Sequence, residues 1–238
     1  MTLARQTAPR TGAWQRNGWV LMPGFLSGRE LATLRGEADR LSADEALFAM
    51  RGSIPNSPAR SDRLDPVIDI SEPFRALAHD RRLLDLATEL LGDEAQLLKD
   101  KLILKPPGAS GYDAHQDGAY WQGLGIEPGD FITAILFLDD CTLDKGPIEC
   151  VPGMHARLLT PPGVITDVDE GTLGAAFQAI EASAGDLFLL HSLTPHRSGP
   201  NLSTQMRRTL LLSYGLDARP DLYGRYRDWR QAYGTATS

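Results

Sequence analysis

The sequence predicts a mainly β protein with flanking helices: a jelly-roll core with helical segments packed outside it. Three observations carry this reading. From about Gln96 onward the chain breaks into short apolar runs separated by Gly, Pro and Asp. Helical periodicity is confined to the residues before that point. A chain of 238 residues with 42% apolar content also suits one β-rich domain with a sizeable core. One domain spanning residues 1–238 is expected.

Taken in order, residues 1 to about 12 are polar and expected to fray, and the first ordered run is Trp14 to Phe25. Ser27-Gly28-Arg29-Glu30 is a capping box, in which a hydroxyl and a carboxylate satisfy amide donors at a helix start. That helix runs through about Leu41, with Leu31, Leu34, Ala38 and Leu41 forming one apolar face. Pro73 opens and Gly92 closes a second helix over roughly Phe74 to Leu91. Between them Arg51 to Pro66, rich in Ser, Pro, Asn and Arg, reads as a surface loop, either an inert connection or an active-site lid. The strands follow as Leu97–Leu104, Ala114–Asp117, Phe131–Leu138, Ile148–Val151, Asp186–His191 and Arg207–Tyr214. Asp144-Lys145-Gly146-Pro147 and Pro152-Gly153 supply turns between them.

A net charge of −7 without clustered Lys and Arg argues against nucleic-acid or anionic-membrane partners and favours small molecules. The longest apolar stretches, such as Ile132 to Leu138, are too short to cross a bilayer, and Met1 to Trp14 has no apolar run typical of a secretory leader. A cytoplasmic protein is expected. Cys141 and Cys150 are then best read as buried free thiols, since neither lies in a paired zinc-type spacing.

Two fragments carry chemistry. Ala114-His115-Gln116-Asp117 places an imidazole and a carboxylate two residues apart, and in extended backbone such residues share a face. With His196, in Thr194-Pro195-His196-Arg197-Ser198-Gly199, they make two His and one carboxylate, the facial ligand set of non-haem Fe(II) that leaves positions open for a co-substrate and dioxygen. A His-X-Asp triplet alone is weak evidence. His191, at the end of Leu187–Leu190, competes for the third place, although a lone His there is more often a hydrogen-bonded core residue. His79 and His155 have no companions in register and read as surface or structure.

Arg207 enters the apolar run Thr209–Leu212, and a buried guanidinium needs an anion, such as the distal carboxylate of a dicarboxylate co-substrate, with Ser198 adding a hydroxyl donor. The bland alternative is a structural ion pair. Alternation puts Arg208 on the face opposite Arg207, where it reads as solvated, but it does not say which of the two faces inward.

The segments Leu104-Lys105-Pro106-Pro107-Gly108, His115-Gln116-Asp117 with Tyr120-Trp121, Asp144 to Glu149 with Val151 to His155, and Gly185-Asp186 to Arg207 resemble the phytanoyl-CoA dioxygenase family of Fe(II)/2-oxoglutarate oxygenases, in order, over about residues 15 to 215. The resemblance implies a double-stranded β-helix, cupin-like core. It implies His115, Asp117 and His196 as iron ligands, Arg207 with Ser198 on the 2-oxoglutarate C5 carboxylate, and Lys101 as a further co-substrate contact. It thereby selects His196 over His191 and Arg207 over Arg208. The chain departs from the common pattern at Arg197, where many members have Gly, at Lys145 before Gly146, and at Met154 before His155.

The implied reaction consumes O2 and 2-oxoglutarate, releases succinate and carbon dioxide, and hydroxylates a substrate C–H; desaturation, cyclisation and epoxidation share the same ligands. Retention of Asp117 argues against halogenation, for which related enzymes replace the carboxylate. Candidate pocket residues are Tyr120, Trp121 and Gln122, the loop residues Arg60 and Arg63, and Arg197, against the alternative that the aromatics are core and the arginines solvated. With no evident CoA or carrier site, a free small metabolite or natural-product intermediate is the expected substrate. A jelly roll that binds metal without catalysis is the competing class, and it would have no use for a carboxylate clamp.

Overall fold

Alternating burial along the strands builds two antiparallel sheets in the computed structural model, which describes residues 4–44, 46–47, 62–159, 173 and 176–236. Helix α1 (Ala4–Asn17) leads into β1 (Trp19–Met22), then α2 (Gly28–Ser42), β2 (Asp62–Leu64), α3 (Glu72–Ala78) and α4 (Arg81–Leu91). The strands β3 (Ala95–Lys105), β4 (Tyr112–His115), β5 (Phe131–Phe137), β6 (Ile148–Cys150), β7 (Gln178–Ile180), β8 (Leu187–His191), β9 (His196–Ser198) and β10 (Arg207–Leu216) follow. Helix α5 (Leu222–Ala236) ends the described chain.

One sheet has the order β1-β8-β5-β10-β3-β2 and the other β4-β9-β6-β7. From β3 onward the chain passes from sheet to sheet at almost every connection, so strands adjacent in sequence lie in different layers. That is the jelly-roll winding expected from the run of short strands. Strand β10 shows how one sequence serves both layers. Leu210 and Leu212 face the helices, in a core with Leu34, Leu41, Phe74, Leu83, Leu102 and Leu104. Leu211 packs the other way, among Ile135, Phe137, Phe188 and Leu190 between the sheets. Register then fixes which residues of β3 face the interior. Lys105 lies opposite Arg207, Ile103 opposite Thr209, Lys101 opposite Leu211 and Lys99 opposite Ser213.

The capping box forms as expected, with Ser27 Oγ accepting from Glu30 N–H and Glu30 Oε2 from Ser27 N–H. Gly92 closes α4 in the left-handed conformation at φ 83°. The single helix expected over 74–91 is instead two. Its break lies at His79, because the Asp80 carboxylate accepts from Arg82 N–H and caps a new helix start. Its first half opens earlier than Pro73 suggests, capped by Ser71.

Helix α1 begins inside the stretch expected to fray, anchored by Trp14, which is buried and packs on His191 with ring centroids 5.4 Å apart. Helix α5 was not anticipated. Its Leu222 and Tyr226 are buried with Leu98, Leu124, Ile126 and Phe131, closing one end of the β core. Cys141 and Cys150 are buried and free, as expected. Arg208, expected to be solvated, is half-buried and donates twice to Asp139 at 2.8 Å, with an Asp39 oxygen as a third acceptor; alternation turned it outward, onto α2 rather than into water. Among the described residues no helix is long and apolar enough to cross a membrane.

Candidate metal centre and its cavity

His115, Asp117 and His196 come together so that one ligand atom from each lies within 4.8 Å of the others. Strand pairing brings the imidazoles together, since His115 of β4 lies opposite His196 of β9 and their rings are 4.2 Å apart. The extended piece expected to carry both His115 and Asp117 ends at His115, and Asp117 opens a 3₁₀ turn over Asp117–Ala119. The two side chains still converge because Gln116 keeps extended dihedrals, φ −122° and ψ 125°. Asp117 Oδ1 stands 3.8 Å from His115 Nε2. His196, expected just beyond a strand, is the first residue of β9.

Each ligand is aimed by a second contact. His115 Nδ1 lies 2.7 Å from Asp113 O and His196 Nδ1 2.9 Å from Thr194 O. Both Nδ1 atoms therefore carry the proton and donate it to a carbonyl, which turns the Nε2 lone pairs to the shared centre. Thr133 Oγ1 donates to Asp117 Oδ2 at 3.2 Å and lies 3.1 Å from Ser213 Oγ, leaving Oδ1 for a cation. Gln116, 1% exposed, stitches the turn between the ligands to Leu193 O, Arg157 O and Leu159 N–H. Burial lowers His115 to about 4, with the neighbouring His196 adding to it. Burial works against the Asp117 anion, yet His196, His115, Lys101 and Lys99 hold its carboxyl at about 2. A neutral His115 imidazole and an anionic Asp117 carboxylate at neutral pH, joined by the His196 ring, make a donor set that fits a divalent iron.

Behind the centre sits a second polar group. Arg207 is 2% exposed; its Nη1 donates to Gly146 O at 2.9 Å, and its Nε is buried without a partner. Lys105, 1% exposed, donates to Gly146 O at 3.4 Å, to Ser198 Oγ at 3.3 Å and to Gly199 O. Burial, and next the Arg207 charge, push the Lys105 ammonium down to about 7. Gly146 must be glycine here: its φ is 63°, and a Cβ would collide with Gly199 O.

Ser198 Oγ also accepts the Tyr112 N–H at 3.2 Å. With Lys105 and Tyr112 filling both acceptor positions, the one hydrogen-bonding capacity left to that hydroxyl is to donate. A buried hydroxyl obliged to donate and a buried guanidinium with an orphaned Nε, with no carboxylate paired to Arg207 or Lys105 among the described residues, fit the anionic end of 2-oxoglutarate.

A cavity of about 1100 Å³ opens over the centre and is lined by Lys101, Tyr120, Trp121, Arg197 and Ser198 together with two of the three ligand candidates, His115 and Asp117. Arg63 also lines it, but from strand β2 rather than a loop, opposite Ile103 and next to the fully buried Leu64. Arg197, from the position where many similar sequences carry Gly, is tied to Glu149 at 2.7 Å and covers the Phe177 ring at 4.2 Å. Gln122 lies in a second 3₁₀ turn, and Arg60 lies outside the described residues. His191 stands apart from the centre, between Trp14 and His155, with its Nδ1 accepting from Leu193 N–H at 3.0 Å.

Sequence reasoning missed Lys105, Thr133, Ser213, Gln116 and the wall formed by Asp65, Lys99, Tyr226, Trp229 and Arg230. The signal for the lysines was present: Lys99, Lys101 and Lys105 share one phase of β3, while Leu102 and Leu104 occupy the other.

The profile described as phytanoyl-CoA dioxygenase matches residues 14–209. A methylphosphonate hydroxylase from Gimesia maris is 30% identical over 219 residues, which are 90% of this chain and 82% of that protein. Among solved structures, EctD from S. alaskensis with 2-oxoglutarate and 5-hydroxyectoine aligns at TM-score 0.78 and 25% identity, over 90% of this chain and 78% of that one. The epimerase SnoN from nogalamycin biosynthesis, in complex with Fe3+, alpha ketoglutarate and nogalamycin RO, aligns at TM-score 0.74 and 25% identity, over 87% of this chain and 82% of the other.

Proposed function

Because the chain belongs to the phytanoyl-CoA dioxygenase family and is thus an Fe(II)- and 2-oxoglutarate-dependent oxygenase, we propose that it hydroxylates an unactivated C–H of a small metabolite or natural-product intermediate. Succinate and carbon dioxide are the co-products. His115, Asp117 and His196 are the iron ligands, Arg207 and Ser198 hold the distal carboxylate of 2-oxoglutarate, and Lys101 faces the co-substrate from β3. When bound, iron with 2-oxoglutarate supplies the activation of dioxygen that C–H oxidation needs.

The protein's own part is arrangement. The Asp113 and Thr194 carbonyls fix the tautomers of the two imidazoles, and Thr133 holds one oxygen of Asp117 so that the other faces the metal. Lys105 and the Tyr112 amide commit the Ser198 hydroxyl to donating, and Arg207 offers its fork beside it. Tyr120 and Trp121 wall the space where a substrate carbon would lie.

The observation that carries the reading is the pairing of a three-ligand centre with a separate buried seat of unsatisfied donors. A metal-binding jelly roll has no need of the second. A methylphosphonate hydroxylase and a neighbour solved with 5-hydroxyectoine support oxidation of a small polar molecule. The test is succinate formation by iron-loaded protein with 2-oxoglutarate and a panel of small metabolites. Substrate-stimulated succinate supports the reading. Well-metallated protein that fails to bind 2-oxoglutarate defeats it.

A further inference from the structure

The cavity wall opposite the Ser198 side carries more positive charge than the centre uses. Arg63 on β2 and Lys99 and Lys101 on the inward face of β3, with Arg230 from α5, line it together. The acid among them is Asp65, whose side chain is fully buried and shared by Arg230 at 2.5 Å and Lys99 at 3.7 Å. The other lining charges are accounted for elsewhere: Arg197 is tied to Glu149, Asp117 faces the metal, and Asp113 is exposed.

Four cations thus face one carboxylate, and among the described residues neither Arg63 nor Lys101 has a carboxylate within ion-pair distance. Arg63 Nε is buried without a partner, and so is Tyr112 Oη on the facing sheet. The crowding is felt within the group. Burial lowers the Lys99 ammonium to about 8; Asp65 opposes this, and the Lys101 and Arg63 charges add to it. The Lys99 head lies 4.5 Å over the Trp121 ring, which keeps it on the wall rather than in solvent.

Uncompensated positive charge in a walled cavity is costly unless an anion completes it. The distal carboxylate of 2-oxoglutarate is served on the far side by Ser198 and Arg207, and of this wall only Lys101 faces the co-substrate, so the anion that meets Arg63 belongs to the substrate. Resting on the reading above, we propose that the substrate carries a compact dianionic oxyanion head, with a phosphonate as the simplest case, seated against Arg63 in the field of the neighbouring lysines. Its reacting carbon then points toward His115 and Asp117. A monoanionic carboxylate would leave part of the wall's charge unmatched, and a neutral molecule all of it.

Calorimetric titration of the anoxic Fe(II) and 2-oxoglutarate complex tests this, with methylphosphonate above its second ionisation, acetate, and neutral dimethyl sulfone as probes. Methylphosphonate is expected to bind at least tenfold more tightly than acetate, with no binding of the sulfone. Arg63→Gln should weaken methylphosphonate at least tenfold, and Arg63→Lys should restore part of the loss. The visible absorption of the iron–2-oxoglutarate complex reports the co-substrate independently. If that absorption forms and methylphosphonate fails to bind, binds no better than acetate, or binds equally well to Arg63→Gln, this inference is overturned alone. If it never forms in metal-loaded wild-type protein, the proposed function falls first, and the inference with it.

Discussion

Replacing Lys105 with Met keeps the length of the side chain and removes its charge and three donors. In the native protein those donors reach Gly146 O, Ser198 Oγ and Gly199 O. Gly146 O keeps Arg207 as a partner after the change, but Gly199 O loses the Lys105 donor, which costs about 1–3 kcal/mol of stability. The larger effect concerns the co-substrate. Ser198 Oγ regains a free lone pair and is no longer obliged to donate, and one positive charge next to Arg207 disappears. A charge-assisted contribution of roughly 1.5–3 kcal/mol corresponds to about a 10- to 100-fold rise in the dissociation constant of 2-oxoglutarate.

The assay is anoxic binding to the iron-loaded variant of 2-oxoglutarate and of 2-oxovalerate, which has the same chelating end and a methyl in place of the distal carboxylate. Lys105→Met should weaken the first and leave the second within about twofold. Because the ammonium sits near 7, wild-type affinity for the anion should decline as pH rises above that value, and the Met variant should lose this dependence. Equal weakening of both acids would show a merely structural lysine. No weakening of either would refute the argument about Ser198.

Three further outcomes follow from the same contacts. His196→Ala should lose iron, whereas His191→Ala should retain it by metal analysis, since His191 packs between Trp14 and His155; the reverse would reassign the third ligand. Thr133→Val, isosteric but without the donor to Asp117 Oδ2, should weaken iron binding by about 10- to 100-fold in a competition assay, and unchanged affinity would remove Thr133 from the centre. Burial, then the neighbouring His155, lower His191 from 6.5 to about 4. A depressed folded value means that its stabilisation is present above pH 6.5 and lost as pH falls toward 4, by roughly 2–3 kcal/mol. Urea unfolding at both ends of that window should show less acid loss in His191→Asn, and identical losses would count against it.

The ligand candidates were legible because two side chains two residues apart in extended backbone must share a face, whether or not the second still lies in a strand. The capping box at Ser27 and the αL glycine at Gly92 were legible for a similar reason: their chemistry is local. What escaped depends on partners far away in sequence. Lys105, before Pro106-Pro107, reads as a turn entry until Arg207 lies opposite it in the sheet. Thr133 and Ser213 read as ordinary strand residues until Asp117 arrives between them and the cavity. Asp80 is a cap, but it stands inside an apolar periodicity that hides the break between α3 and α4. Leu222, Tyr226, Trp229 and Arg230 recur at helical spacing, and only the packed core shows that their helix lines the cavity.

The central claim is that one ferrous ion and one 2-oxoglutarate share a site built by His115, Asp117, His196, Ser198 and Arg207. An anoxic titration of Fe(II)-loaded protein with 2-oxoglutarate, followed by its visible charge-transfer absorption, tests this most directly. Saturation at one equivalent per chain is predicted, with the absorption abolished in Asp117→Ala for want of iron and shifted to much higher co-substrate concentration in Arg207→Met. Protein that binds iron through these ligands yet develops no absorption, or whose absorption is indifferent to Arg207, would contradict the account.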